Sequence, residues 1–249
     1  MDVKARDKLI VALDVDSADL ALDLFDALRQ VVGMFKIGSQ LFTAAGPDVV
    51  RKVVARGGRV FLDLKFHDIP NTVAAAGVEA TRLGVSIFNV HASGGIEMMK
   101  RTAAAVAETA NRETIAKPQV IAVTLLTSLD QKSLEQIGID HEPRSIVARL
   151  ALAAANSGLD GVVASPQEIL TIREAISHPR FIIVTPGIRD ANTSSDDQRR
   201  TLDAAEAIRE GADYLVVGRP ILNAVEPAAA AQRILEQIDD ALMKLKTPA

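Results

Sequence analysis

The chain has 249 residues, 48% of them hydrophobic, which suffices for one large core, and no cysteine, which excludes disulfides, thiolate metal sites and cysteine nucleophiles. A net charge of -4, one tyrosine and no tryptophan argue against a nucleic-acid partner, because both a basic surface and stacking platforms are missing. The N-terminal residues are charged, with no apolar signal-peptide core, and no window approaches the roughly 18 apolar residues of a membrane span, so the sequence predicts a soluble, cytoplasmic protein.

Lys8 to Asp14 is a short apolar run that ends in an acid. Ser17 then caps a helical pattern whose apolar stripe runs through Leu20, Leu22, Leu24, Phe25 and Leu28. Met34 to Gly38 is a second strand with Lys36 set inside it, and Gly46-Pro47 opens a helix over 48–55. The third strand is expected from Gly58 to Leu64. It leads into Lys65 and Asp68, after which Ile69-Pro70-Asn71-Thr72 stops the extended segment and a helix begins near Val73.

Further strands are predicted at Val85–His91, Gln119–Leu126, Gly161–Ser165, Arg180–Thr185 and Asp213–Gly218. Helices fall at Ile96–Asn111, Ser145–Asn156, Pro166–Ile176, Leu202–Arg209 and Pro227–Leu245. Gly84, Gly158 and Gly211 recur between a helix and the next strand, the position where a left-handed residue ends a helix. Strands apolar throughout and alternating with helices imply a parallel sheet covered by helices. Eight such units in this length predict a single-domain (β/α)8 TIM barrel over residues 1–249, with its active site at the C-terminal ends of the strands.

The polar residues gather at those ends: Asp14, Lys36, Asp63, Lys65, His91, Thr127, Ser128 and Ser165. Side chains two apart on a strand share a face, so Asp63 and Lys65 should point together. Lys36 within an apolar strand needs a partner, and Asp63 on the neighbouring strand is the expected one. Charges at the opposite ends of the strands look solvated. The loops after the seventh and eighth strands carry Pro186-Gly187-Ile188-Arg189 and Gly218-Arg219, where backbone N–H groups and a guanidinium fork suit phosphate. Between them, the polar segment 190–200 reads either as a disordered surface loop or, more sharply, as a mobile lid over that phosphate with Gln198 as a donor. His67 and His91 make no convincing metal set, so none is expected.

Asp63-x-Lys65-x-x-Asp68-Ile69-Pro70-Asn71-Thr72 resembles the signature of the orotidine 5'-monophosphate decarboxylase family. The likeness extends to Ala12-Leu13-Asp14, Phe35-Lys36-Ile37-Gly38, Thr124 to Ser128, Thr185 to Arg189 and Val217-Gly218-Arg219, and so covers essentially the whole chain. It implies a homodimeric barrel that converts orotidine 5'-monophosphate to UMP and CO2 with neither metal nor organic cofactor. By the same likeness Lys65 is the proton donor to C6 of the pyrimidine, Asp63 and Asp68 flank it, and Lys36 completes a charge array. Asp68 and Thr72 would reach the partner subunit's site. Asp14 and Lys36 would hold the ribose, Thr127 and Ser128 the pyrimidine edge, and Arg189, Gln198, Gly218 and Arg219 the phosphate. Ile69 and Pro186 complete the substrate-binding set. The rivals are a magnesium-dependent sugar-phosphate lyase of the same barrel group and a non-catalytic barrel that binds UMP. The Ile69 to Thr72 continuation and the long polar loop favour the nucleotide enzyme.

Overall fold

A computed structural model describes residues 4–188 and 202–246. Eight parallel strands close into a barrel in chain order: β1 (Leu9–Ala12), β2 (Met34–Gly38), β3 (Val60–Phe66), β4 (Ile87–His91), β5 (Gln119–Val123), β6 (Gly161–Val163), β7 (Ile182–Pro186) and β8 (Tyr214–Val217). β8 pairs back onto β1 through Leu9–Leu215 and Val11–Val217, so among the described residues no strand is left at an edge. The predicted (β/α)8 barrel is the fold observed.

Alternation along each strand divides the core in two. Ile10, Ala12, Met34, Phe61, Ile87, Ile121, Val184 and Val216 form an inner cluster that fills the barrel. Their neighbours in sequence, such as Val11, Phe35, Leu62, Phe88 and Leu215, join the outer cluster, shared with buried helix residues such as Leu22, Phe25 and Val53. The inward phase therefore continues upward from Ala12 to Asp14, from Met34 to Lys36, from Phe61 to Asp63 and from Ile87 to Asn89. On these four strands the inner file turns polar towards the C-terminal mouth.

Helix starts follow local chemistry. Ser17 Oγ accepts the Leu20 N–H at 3.3 Å and caps the helix Ala18–Leu28. Pro70 opens the helix Pro70–Arg82, three residues before the predicted start, because proline's fixed φ suits the first helical turn. Pro143 similarly opens Pro143–Asn156. Leu202 is not helical: it bridges to Ile188, and Asp203 caps a helix running from Ala204 to Glu210. The observed strands are mostly a few residues shorter than the apolar runs predicted, since the ends of those runs sit in the connecting loops. Four short helices were not foreseen, Ala5–Lys8, Ser39–Ala45, Gln131–Gln136 and Arg219–Leu222.

The acids at the N-terminal strand ends are not merely solvated. Asp160 Oδ2 accepts the Val120 N–H at 2.8 Å and Lys117 Nζ lies 3.2 Å from the same carboxylate. Asp213 Oδ2 accepts the Ile183 N–H at 2.8 Å and a guanidinium N–H of Arg173 at 2.6 Å. Both carboxylates satisfy strand-start amides that would otherwise lack partners.

Candidate active site

A cavity of about 520 Å³ opens at the C-terminal mouth, lined by Asp14, Lys36, Asp63 and Lys65 on one side and by Thr127, Pro186, Gly187, Gly218 and Arg219 on the others. Its charged wall is a row of alternating sign. Lys36 Nζ lies 2.8 Å from Asp14 Oδ1 and 3.4 Å from Asp63 Oδ2, and Lys65 Nζ lies 2.6 Å from Asp63 Oδ1. The expected Lys36–Asp63 pair is present, with Asp14 the closer partner.

Burial makes this row depend on its pairing. The side chains of Lys36 and Asp63 are only 11% and 12% exposed. Burial opposes the charge on Lys36, yet Asp63 and Asp14 outweigh it and raise its pKa above the ordinary lysine value. Burial likewise opposes the charge on Asp63, but Lys36, Lys65 and the Asn89 amide hold its carboxyl below the usual range. Both groups are therefore charged at neutral pH. Gly38 makes room for the row, because a Cβ there would meet Lys36 Nζ at 2.9 Å and Asp14 Oδ1 at 3.3 Å.

Lys65 reaches Asp63, though not through simple strand alternation. Its φ is 53°, in the left-handed region, and the β3–β4 register shifts between Leu62 and Phe66. A non-glycine residue there costs about 1–2 kcal/mol, strain of the kind that gathers at functional sites. Asn89, fully buried on β4, contacts both residues and was not singled out in the sequence. Its signal was available: a lone amide at the inward phase of the apolar strand IFNVH. Beside it, the rings of His67 and His91 lie 5.3 Å apart.

The remaining predicted residues divide. Asp68, Ile69, Thr72 and Ser128 are exposed and do not line this chain's cavity, and Asp68 Oδ1 accepts its neighbour's N–H, that of Ile69, at 2.6 Å. Ser165 is buried outside the cavity, its N–H donating to Glu168 Oε2 at 3.0 Å. Arg189 and Gln198 lie outside the described residues. Among the described residues no group of three or more His, Cys, Asp or Glu side chains could hold a metal ion, and no helix is long and apolar enough to cross a membrane.

Residues 7–234 match the model of the orotidine 5'-phosphate decarboxylase / HUMPS family. The chain belongs to that family. Among relatives named orotidine 5'-phosphate decarboxylase, that of Moorella thermoacetica is 56% identical over 94% of this chain and 93% of its own length. That of Syntrophotalea carbinolica is 52% identical over 97% and 99%. The crystal structure of orotidine 5'-phosphate decarboxylase from Lactobacillus acidophilus superposes with a TM-score of 0.82 at 35% identity, covering 93% of this chain and 98% of that one. An uncharacterized conserved protein from Geobacillus kaustophilus gives 0.80 at 33% identity, covering 92% and 99%. Within the family frame, the resemblance drawn from Asp63 to Thr72 is upheld along nearly the whole chain.

Proposed function

We infer that this protein is an orotidine 5'-phosphate decarboxylase, a carboxy-lyase that forms UMP and CO2 in pyrimidine biosynthesis. The relatives' shared name supports the activity. The observation that carries the mechanism is the row Asp14–Lys36–Asp63–Lys65 in the cavity wall.

Breaking the bond from C6 to the carboxylate leaves the electron pair on C6, in an orbital that the ring cannot delocalise. The site must stabilise localised negative charge and then protonate it. The Lys65 ammonium does both: it attracts the developing carbanion and then donates its proton to C6, and solvent later restores that proton. Asp63 keeps the ammonium in place and remains ionised itself. Its charge also crowds the substrate carboxylate, whose departure relieves the repulsion. Asp14 and Lys36 are assigned to the ribose hydroxyls and Thr127, in the cavity wall, to the pyrimidine edge, which the neighbouring Ser128 would reach only by turning inward on binding. Pro186 and Ile69 bound the substrate, and Gly218, Arg219, Arg189 and Gln198 take the phosphate.

The reaction as read needs neither metal nor organic cofactor. Both Asp63 oxygens already face ammonium groups, an environment that repels a divalent cation and so favours this reading over a magnesium-dependent lyase. We read the chain as one domain, a cytoplasmic homodimer in which Asp68 and Thr72 serve the partner's site. Their exposure outside the cavity of their own chain supports that reading.

The test is turnover of orotidine 5'-monophosphate, followed by its loss of ultraviolet absorbance, with and without EDTA. Equal rates in both conditions are expected. No turnover by folded protein overturns the function, and abolition by EDTA overturns the metal-free mechanism.

A further inference from the structure

The Asp63–Lys65 pair sits where the β3–β4 ladder breaks. Leu62 pairs with Phe88 and Phe66 with Val90, so residues 63–65 of β3 face the single residue Asn89 of β4. Extra residues in one strand leave backbone groups without their ladder partners. Here the Lys65 N–H is such a group, and Lys65 also holds the disfavoured left-handed φ of 53°.

Asn89 supplies what the ladder lacks. Its Oδ1 accepts the Lys65 N–H at 2.8 Å, and its Nδ2 donates to Asp63 Oδ1 at 2.7 Å. The same Asp63 oxygen lies 2.6 Å from Lys65 Nζ. One carboxamide thus grips the backbone of the lysine and the carboxylate that aims its ammonium. The orientation of the amide follows from its partners, because an N–H needs an acceptor and a carboxylate needs a donor. Asparagine is suited to this position, since leucine offers neither group and ionised aspartate would set a second carboxylate against Asp63. With 0% exposure, Asn89 has no water to replace either bond.

We propose that Asn89 is a positioning residue of the decarboxylation site: its carboxamide replaces a missing rung of the sheet and fixes Lys65 Nζ against Asp63 and the reacting carbon. The proposal rests on the decarboxylase reading of the site. A purely structural asparagine would satisfy the bulge and leave kcat alone, so the two roles separate in kinetics.

The experiment compares Asn89→Ala and Asn89→Asp with wild type, measuring kcat and KM for orotidine 5'-monophosphate, Kd for UMP, and melting temperature. Misplacing a reacting group by about 1 Å can cost ~100-fold in rate, so kcat of Asn89→Ala should fall by about that factor. Kd for UMP should stay within about threefold, because Asn89 does not line the cavity. Asn89→Asp should be as slow as Asn89→Ala at alkaline pH and regain rate relative to wild type as pH falls, since a protonated carboxyl again offers one donor and one acceptor. Folded variants with kcat within about threefold of wild type, or with UMP affinity lost in step with kcat, overturn the proposal. If Asn89→Ala does not fold, the acid recovery of Asn89→Asp decides the question, and its absence counts against Asn89. A wild-type protein that turns over no orotidine 5'-monophosphate would remove the decarboxylase reading alone. The φ of Lys65 in a crystal structure of Asn89→Ala then decides the positioning role: release from the left-handed region supports it, and retention overturns it.

Discussion

Lys65 is asked to do two things at one atom, stabilise charge and donate a proton, so its removal should cost both contributions. General-acid catalysis is worth about 10²–10⁴-fold and a well-placed electrostatic donor about 10²–10³-fold. Lys65→Ala should therefore lose about 10⁴-fold or more in kcat, on the order of 5 kcal/mol of transition-state stabilisation. It should still fold, because Asp63 keeps Lys36 at 3.4 Å and the Asn89 amide at 2.7 Å and is not left an unpaired buried charge. Retention of a tenth of wild-type activity would exclude Lys65 as the acid. His91, at the end of β4, is expected to contribute to the pH dependence of stability. Burial, then His67 and Lys65, push its pKa below the ordinary 6.5, against the opposing pull of Asp63. The unfolded chain thus takes up a proton at this position before the folded chain does. The stability contributed by neutral His91 is whole above 6.5 and drains away as pH falls from there towards the lowered folded value. Asp63 acts in the same direction only at lower pH, its folded pKa lying below 3.8. His91→Gln should flatten the fall in melting temperature between about pH 7.5 and pH 5.5. An unchanged slope would show that His91 is not the group responsible.

Within the β6 unit two glycines three residues apart are needed for opposite reasons. A Cβ on Gly161 would meet the Ile182 carbonyl oxygen at 2.2 Å, so the constraint is the distance between β6 and β7. Gly158 has open space around it and a φ of +80°, so there the constraint is backbone conformation alone. Gly161→Ala should cost about 2–3 kcal/mol or prevent folding, whereas Gly158→Ala should cost about 1 kcal/mol, measured by urea unfolding. Equal costs would refute the distinction. The Gly158 class of constraint is legible in sequence, since a glycine between a helix and a strand announces its turn. The Gly161 class is not, because it depends on which backbone lies across the sheet. The same division runs through the active site. The need of a buried ammonium for a partner was enough to pair Lys36 with Asp63, and the order of apolar runs sufficed for the barrel. The shifted register at Lys65 could not be read, because a bulge is a property of two strands and only one is seen at a time. Asn89 was legible as a lone amide in an apolar strand, but its role was not, because that role comes from the gap it faces. Gly38 looked like a strand end until Lys36 Nζ occupied the space beside it.

For the whole molecule, barrel closure explains why the charged row can be rigid, and the β3 loop carries the proposal that a second chain completes the site. The closed sheet fixes Asp14, Lys36, Asp63 and Lys65 on three adjacent strand ends, so their spacing does not depend on a partner. Asp68 is different: it is exposed, lies outside its own cavity and precedes Ile69, which is 66% exposed. A large apolar side chain left bare beside a carboxylate suits burial in a two-fold interface, where each subunit contributes the same loop. If Asp68 acts in the neighbouring site, Lys65→Ala and Asp68→Ala homodimers are each impaired, but a mixed dimer has one site with both lesions and one with neither. Random reassortment of equal amounts makes half the dimers mixed, so activity should recover to about a quarter of wild type after subunit exchange. The lysine-deficient parent supplies almost none of this, which makes the recovered rate a direct count of repaired sites. Exchange must be shown separately, for instance by native mass spectrometry of a size-tagged subunit. If mixed dimers form and activity stays at the average of the two parents, Asp68 serves the chain that carries it. The β3 loop would then have to fold inward on substrate binding to bring Asp68 to its own Lys65.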